Sequence, residues 1–257
     1  MYAFLDAEYN TDRHSEEKSE EKKEFSESDH SLIEVALIIT DNEFETVETY
    51  HSYVRPKGNQ GKLYSQIVKL TGIKQEDVDK GISFKDTIAN IHNIVIKYGI
   101  KKIYVYGSYD KYAFQWNNKQ YGAIPYGNST AKRLLDVSIQ LRTMCQLKHE
   151  ISLESLAYIC ETESKVTHFS MDDAETLKEV YAKINTTGAD IKKCEEYNTY
   201  VFKRDTYNKL ILEINKLIRN GMGKDEILDM VNNPPLTKPT VLLKWGLAKA
   251  STKSQGL

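Results

Sequence analysis

Two acidic residues, Asp6 and Glu8, follow the apolar run Tyr2-Ala3-Phe4-Leu5. On an extended chain, residues two apart project to one side, so both carboxylates face the same space. Far downstream, in His168-Phe169-Ser170-Met171-Asp172-Asp173-Ala174, a histidine precedes an aspartate by five residues at the head of a helical pattern. A base and a further carboxylate can therefore enter that space from another direction. Paired carboxylates joined by a histidine point to phosphodiester chemistry. The reaction needs an activated water, neutralised charge on the phosphorus centre and a stabilised leaving oxygen.

These side chains depend on the elements that carry them. The segments Leu32–Thr40, Thr46–Val54 and Lys102–Tyr106 are alternating or rich in β-branched residues and read as strands, with a further strand or turn near Leu134–Val137. Phe84, Ile88, Ile91, Val95 and Tyr98 recur at four- and three-residue steps, which predicts one helix ending at Gly99. Ser152 is placed to cap a helix carrying Leu153, Leu156, Ala157 and Cys160. A helix starting near Asp172 presents Ala174, Leu177, Val180, Tyr181 and Ile184 to a sheet, which would hold Asp173 still. Strands with interspersed helices indicate an α/β fold.

Three motifs resemble, in order, those of the DEDDh family of 3′→5′ exonucleases within the ribonuclease H-like superfamily. Asp6-Ala7-Glu8 matches the first, Tyr106-Gly107-Ser108-Tyr109-Asp110 the second, and His168 with Asp173 the third. Leu32–Ile38, Tyr53-Val54-Arg55-Pro56 and Leu70-Thr71-Gly72-Ile73 are similar to further landmarks of the family. The second motif is closest in style to KapD-like proteins and to exonucleases that trim histone mRNA and small RNAs. Where family members often continue the first motif with threonine, this chain has Tyr9-Asn10.

The resemblance implies a ribonuclease H-like mixed sheet flanked by helices over residues 1–184, with a mainly helical appendage over 185–257. It implies a metal-dependent exonuclease releasing nucleoside monophosphates from the 3′ ends of single-stranded or 3′-tailed RNA or DNA, with RNA slightly favoured. Asp6, Glu8, Asp110 and Asp173 become metal ligands in that scheme, His168 the general base, and Ala7 and Tyr9 substrate-binding residues. Asp6 would bridge two ions. The donors are all oxygens, the preference of Mg²⁺ and Mn²⁺, with no sulfur set of the kind that selects structural zinc. An imidazole such as that of His168 suits proton removal from the attacking water. Asp172 and Asp136 read as structural carboxylates, and His14, His30, His51, His92 and His149 as surface or structural histidines. A different class of reading, an exonuclease fold retained as a nucleic-acid-binding or assembly module, is opposed by the intact motifs. A DNA-proofreading subunit lies between the two.

A net charge of −2 gives no global cationic field, so any nucleic-acid surface has to be local or supplied by bound ions. Residues 11–30 hold eight acids against four basic residues, a net of −4, and read as a mobile charged insertion. Cys145, Cys160 and Cys194 lack a Cys-x-x-Cys spacing and read as reduced thiols. No apolar run reaches membrane-spanning length, and a strand starting at residue 2 leaves no room for a secretory signal, so a cytoplasmic location is expected. Past residue 185, helical periodicity resumes with Ile191, Cys194, Val201, Leu210, Ile214, Leu217 and Ile218. Gly221 punctuates it, and Lys224–Val231 forms a second helix. The tail beyond Leu236 carries Lys238, Lys244, Lys249 and Lys253 without an acid, together with Trp245 as a stacking surface. A protein partner could engage this appendage.

Overall fold

The computed structural model describes residues 1–11 and 30–232. The charged insertion and the basic tail with Trp245 lie outside the described residues. Five strands, β1 (Tyr2–Asn10), β2 (Ser31–Thr40), β3 (Thr46–Tyr53), β4 (Ile103–Val105) and β5 (Leu134–Asp136), form one sheet in the order β3-β2-β1-β4-β5. The first three are antiparallel neighbours, whereas β1, β4 and β5 run parallel. The sheet is mixed and helix-flanked, as the ribonuclease H-like resemblance implied.

The strand β2 is buried along its whole length because both faces of the sheet are covered there. That explains its apolar run, Leu32 to Ile39, interrupted only by Glu34. Its neighbour β3 closes one edge of the sheet and is largely exposed or half-buried.

The helices divide between the faces. On one face, α3 (Phe84–Lys97), α4 (Tyr109–Gln120) and α5 (Pro125–Arg133) build the main core, where Phe84, Ile88, Ile91, Phe114 and Ala131 join Leu5, Leu37 and Val105. Ser83 caps α3 by accepting from the Asp86 amide, and Gly99 leaves it at φ +63°, as expected from the sequence. On the other face, α8 (Ser170–Thr186) lays Ala174 against Ala36 and Ile38, and sets the Tyr181 ring 5.5 Å from Phe4. It begins two residues earlier than Asp172.

Shorter helices fill the connections: α1 (Ser65–Thr71), α2 (Gln75–Lys80), α6 (Ser138–Met144) and α7 (Leu153–Cys160). Ser152 caps α7 through the Ser155 amide at 3.1 Å. Gly72 takes φ +73° to end α1, the conformation that favours glycine at a helix terminus.

The chain divides into two compact units, Met1–Ile191 and Lys192–Leu257. The second contains nearly all of α9 (Ile191–Arg219), followed by a turn at Gly221 with φ +87° and by α10 (Lys224–Asn232). No helix among the described residues is long and apolar enough to cross a membrane.

Candidate active site

The parallel pairing of Phe4 with Tyr104 sets the ends of β1 and β4 side by side. Asp6 and Glu8 leave β1 on the α8 face, while Leu5 and Ala7 point into the main core. Two residues beyond Tyr106, the chain turns into α4. Asp110 therefore sits in the first turn of that helix, only 7% exposed. Asp173 occupies the first turn of α8 at 6% exposure. Separate elements, β1, α4 and α8, thus deliver the predicted residues to one place.

Their mutual proximity is chemical as well as topological. One oxygen each of Glu8 and Asp173 and one ring nitrogen of His168 all lie within 4.8 Å of one another. His168 Nδ1 is 3.8 Å from Glu8 Oε1, and its side chain is 48% exposed. Asp6 lies deepest. Burial first, and then the charges of Asp110, Asp173, Glu8 and Glu34, hold its proton affinity well above the ordinary aspartate value. Asp6 Oδ2 is buried without a hydrogen-bond partner. Burial likewise raises Asp173, against the opposing effects of the Thr167 amide and His168, and pushes Asp110 up to about 7.

A cluster of carboxylates with one orphaned buried oxygen is costly alone and is relieved by cations. The donor set fits hard divalent ions.

Asp173 and the turn before Asp110 are also held from behind. Asp173 Oδ1 accepts from the Thr167 amide at 2.8 Å, while the Thr167 hydroxyl donates to Asp172 Oδ2, also at 2.8 Å. Asp172 thus ties the loop, in keeping with its structural reading. Asp136 accepts from the amides of Gly107 and Ser138 at 2.9 Å each and so fixes the turn that leads to Asp110. Beside that turn opens a cavity of about 400 Å³ lined by Tyr106, Gly107, Ser108, Ile139, Arg142 and Glu150, among others.

Tyr9 and Ala7, expected as substrate contacts, both carry their side chains on the main-core face. Tyr9 is buried, its ring packs at 5.2 Å from Tyr109, and its hydroxyl donates to Asp110 Oδ1 at 3.0 Å. The Ala7 side chain belongs to the main core. Despite the register shift between Glu8 and Tyr9, Tyr9 keeps the alternation of Leu5 and Ala7 and lies on the main-core face.

Sequence reasoning overlooked Glu34. It is fully buried on β2 and stands opposite Glu8 across the strand pair. A lone glutamate within ten otherwise apolar or small strand residues was the available signal. His51, read as structural, is its partner at 2.8 Å.

No curated protein matches the chain. Among solved structures, a 3′-exonuclease whose description is 3′-end-specific recognition of the histone mRNA stem-loop is similar, with a TM-score of 0.61 and 16% identity over 74% of this chain. The chain spans 64% of that protein's length. The nuclease domain of 3′hExo, described as a DEDDh family member bound to rAMP, is 18% identical with a TM-score of 0.60, covering 74% of this chain and 93% of that one. Escherichia coli exonuclease I with a dA16 oligonucleotide gives 0.51 and 19% over 79% of this chain and 43% of that one. Identities this low establish the fold alone. The model of the RNase_T family, described as exonuclease, matches residues 4–181, most of the chain and every residue of the site, and the chain accordingly belongs to that exonuclease family.

Proposed function

We propose that Asp6, Glu8, Asp110 and Asp173 hold two divalent ions, Mg²⁺ or Mn²⁺, and that His168 acts as general base. The chain would then shorten nucleic acid from its 3′ end, releasing nucleoside monophosphates, with RNA favoured over DNA. The observation that carries this reading is the buried, unpartnered Asp6 oxygen among three other carboxylates, with His168 beside two of them. When bound, the ions supply positive charge to the reacting phosphate and to the departing oxygen.

The chain's own residues do the rest. His168 is exposed enough to meet a water in the cleft, and Glu8 at 3.8 Å orients its ring. The base removes a proton from that water, whose oxygen attacks the terminal phosphodiester. The bond from phosphorus to the 3′ oxygen of the preceding nucleotide breaks, leaving a 5′-monophosphate and a new 3′ hydroxyl. The cavity beside Gly107 and Ser108 gives the upstream strand room. Arg142 forms no ion pair among the described residues and supplies a cationic group at that edge.

The lean towards RNA rests on the style of the second motif and on likeness to a histone-mRNA exonuclease. The likeness to an enzyme crystallised with a DNA oligonucleotide pulls the other way. Purified protein with 5′-labelled RNA or DNA in Mg²⁺ or Mn²⁺ is expected to give a descending ladder, faster on RNA. No shortening of any substrate would defeat the proposal, and a faster rate on DNA would reverse the lean. His168→Ala is expected to lose about a hundredfold or more through the missing base.

A further inference from the structure

Glu34 is a fully buried carboxylate in the sheet that the chemistry above leaves without a task. It is 0% exposed on β2 and adds its negative charge to those already crowding Asp6. A buried carboxylate is tolerated only when its oxygens are fully engaged. Here both are: Oε2 accepts from the Ser170 amide at 2.9 Å, and Oε1 lies 2.8 Å from His51 Nε2 on β3.

What Glu34 engages is the start of α8. The residue before the first turn of that helix is Phe169, which offers no capping side chain. Glu34 therefore does from a neighbouring strand what a serine or aspartate at the helix's own N-cap would normally do. His51 adds a second hold, because its ring lies 5.1 Å from that of Phe169. Immediately before these two braced residues comes His168, at φ +60°, in the left-handed region that is uncommon for a non-glycine residue. A backbone held there needs anchors on both sides. Thr167 is tied to Asp172 and Asp173, and Phe169-Ser170 to His51 and Glu34.

We infer that Glu34 and His51 form a positioning pair that locks the His168–Ser170 turn and the first turn of α8 to the sheet. His168 and Asp173 are thereby fixed relative to Asp6 and Glu8. The register makes the brace direct, since Glu34 is paired across the strands with Glu8 itself. Neither residue of the pair touches the reacting atoms. The inference rests on the proposed roles of His168 and Asp173, but its structural half can be read without turnover.

The test compares Glu34→Leu, Glu34→Gln and His51→Ala in the full chain. Leucine fills the same buried space without an acceptor, while glutamine keeps a carbonyl oxygen for Ser170 and removes only the charge. For Glu34→Leu, hydrogen exchange at the amides of residues 168–170 is expected to quicken by about tenfold or more, with β1 and β2 unchanged. Its kcat is expected to fall at least about tenfold with little change in KM, as for a displaced catalytic group. Glu34→Gln should restore most of both. His51→Ala, on the half-exposed edge strand, should give a smaller loss and serves if the leucine variant does not fold. Parental exchange and kcat in both Glu34→Leu and His51→Ala would overturn the pair. So would a glutamine variant as impaired as the leucine one, because charge rather than the hydrogen bond would then be the cause. An inactive parent would condemn the exonuclease reading and leave the exchange result to judge the brace.

Discussion

At the scale of single residues, the site is held together against its own electrostatics. Burial keeps Asp110 protonated up to about pH 7, whereas the same group ordinarily titrates at 3.8. The folded state therefore holds a proton that the unfolded chain has lost. The stability contribution is fully present below about pH 4 and is lost as the pH rises through the folded value. Asp6, raised for the same reason and by its neighbours' charges, extends the loss in the same direction. Thermal melts in chelator are thus expected to fall in Tm from mildly acidic to neutral pH, and added Mg²⁺ at neutral pH to raise Tm. Asp110→Asn keeps the shape but removes the charge. It should flatten the pH dependence and raise the ion-free Tm at neutral pH while abolishing nuclease activity, so a variant less stable than its parent under those conditions would contradict the repulsion. Tyr9 acts on the same carboxylate: Tyr9→Phe deletes one hydrogen bond to a charged group, worth about 1.5–3 kcal/mol. It is expected to raise the Mn²⁺ concentration needed for half-maximal binding by about tenfold or more, measured by calorimetry. The meeting of Asp6, Glu8, Asp110, His168 and Asp173 was legible because their motifs depend on spacing along single elements. Glu34 was passed over because its partner is a helix more than a hundred residues away.

At the scale of elements, α3 and α8 could be read because their buried faces are apolar at helical spacing. The helix α4 hid itself. Its buried positions are Asp110, Ala113, Phe114, Asn117 and Asn118, so polar residues occupy the stripe that should have been hydrophobic. Those amides have work to do. Asn117 Nδ2 donates to the carbonyls of His30 and Ala113 at 2.7 and 2.8 Å, and its Oδ1 accepts from the Leu32 amide at 3.1 Å. It thereby joins the entry of β2 to the helix that carries Asp110. Asn117→Ala would leave the buried His30 carbonyl and Leu32 amide without this partner, a loss of about 1–3 kcal/mol for each unsatisfied group. Urea denaturation should show that loss, with residual activity falling less than stability. Next to it, Gly127 in α5 lets the two helices approach so closely that an added Cβ would come within 2.1 Å of Asn118 Oδ1. Glycine ordinarily weakens a helix, but the packing requires it in this one.

At the scale of the whole molecule, every residue assigned to the chemistry lies within Met1–Ile191, and the family match ends at residue 181. The sequence placed a boundary at 184/185, within the last turn of α8, whereas the compact units part after Ile191 at the first residue of α9. The second unit has a different surface character. Along α9, Tyr200, Phe202, Tyr207 and Leu212 are more than half exposed, at 61, 65, 57 and 67%. The proposed chemistry needs none of these groups. A protein truncated after Ile191 is therefore expected to keep the parent's kcat on short single-stranded oligonucleotides, for RNA and DNA alike. On long substrates its KM should rise if the appendage or its lysine-rich tail helps to hold the strand. That rise should shrink with added salt, because phosphate contacts made by lysines weaken as counterions compete for them. Matched RNA and DNA of two lengths, assayed with the full-length and truncated proteins at two salt concentrations, separate the cases. A collapse of kcat on the shortest substrate would place part of the active site's support beyond Ile191, and a KM unaffected by truncation at any length would leave the appendage to partners other than nucleic acid.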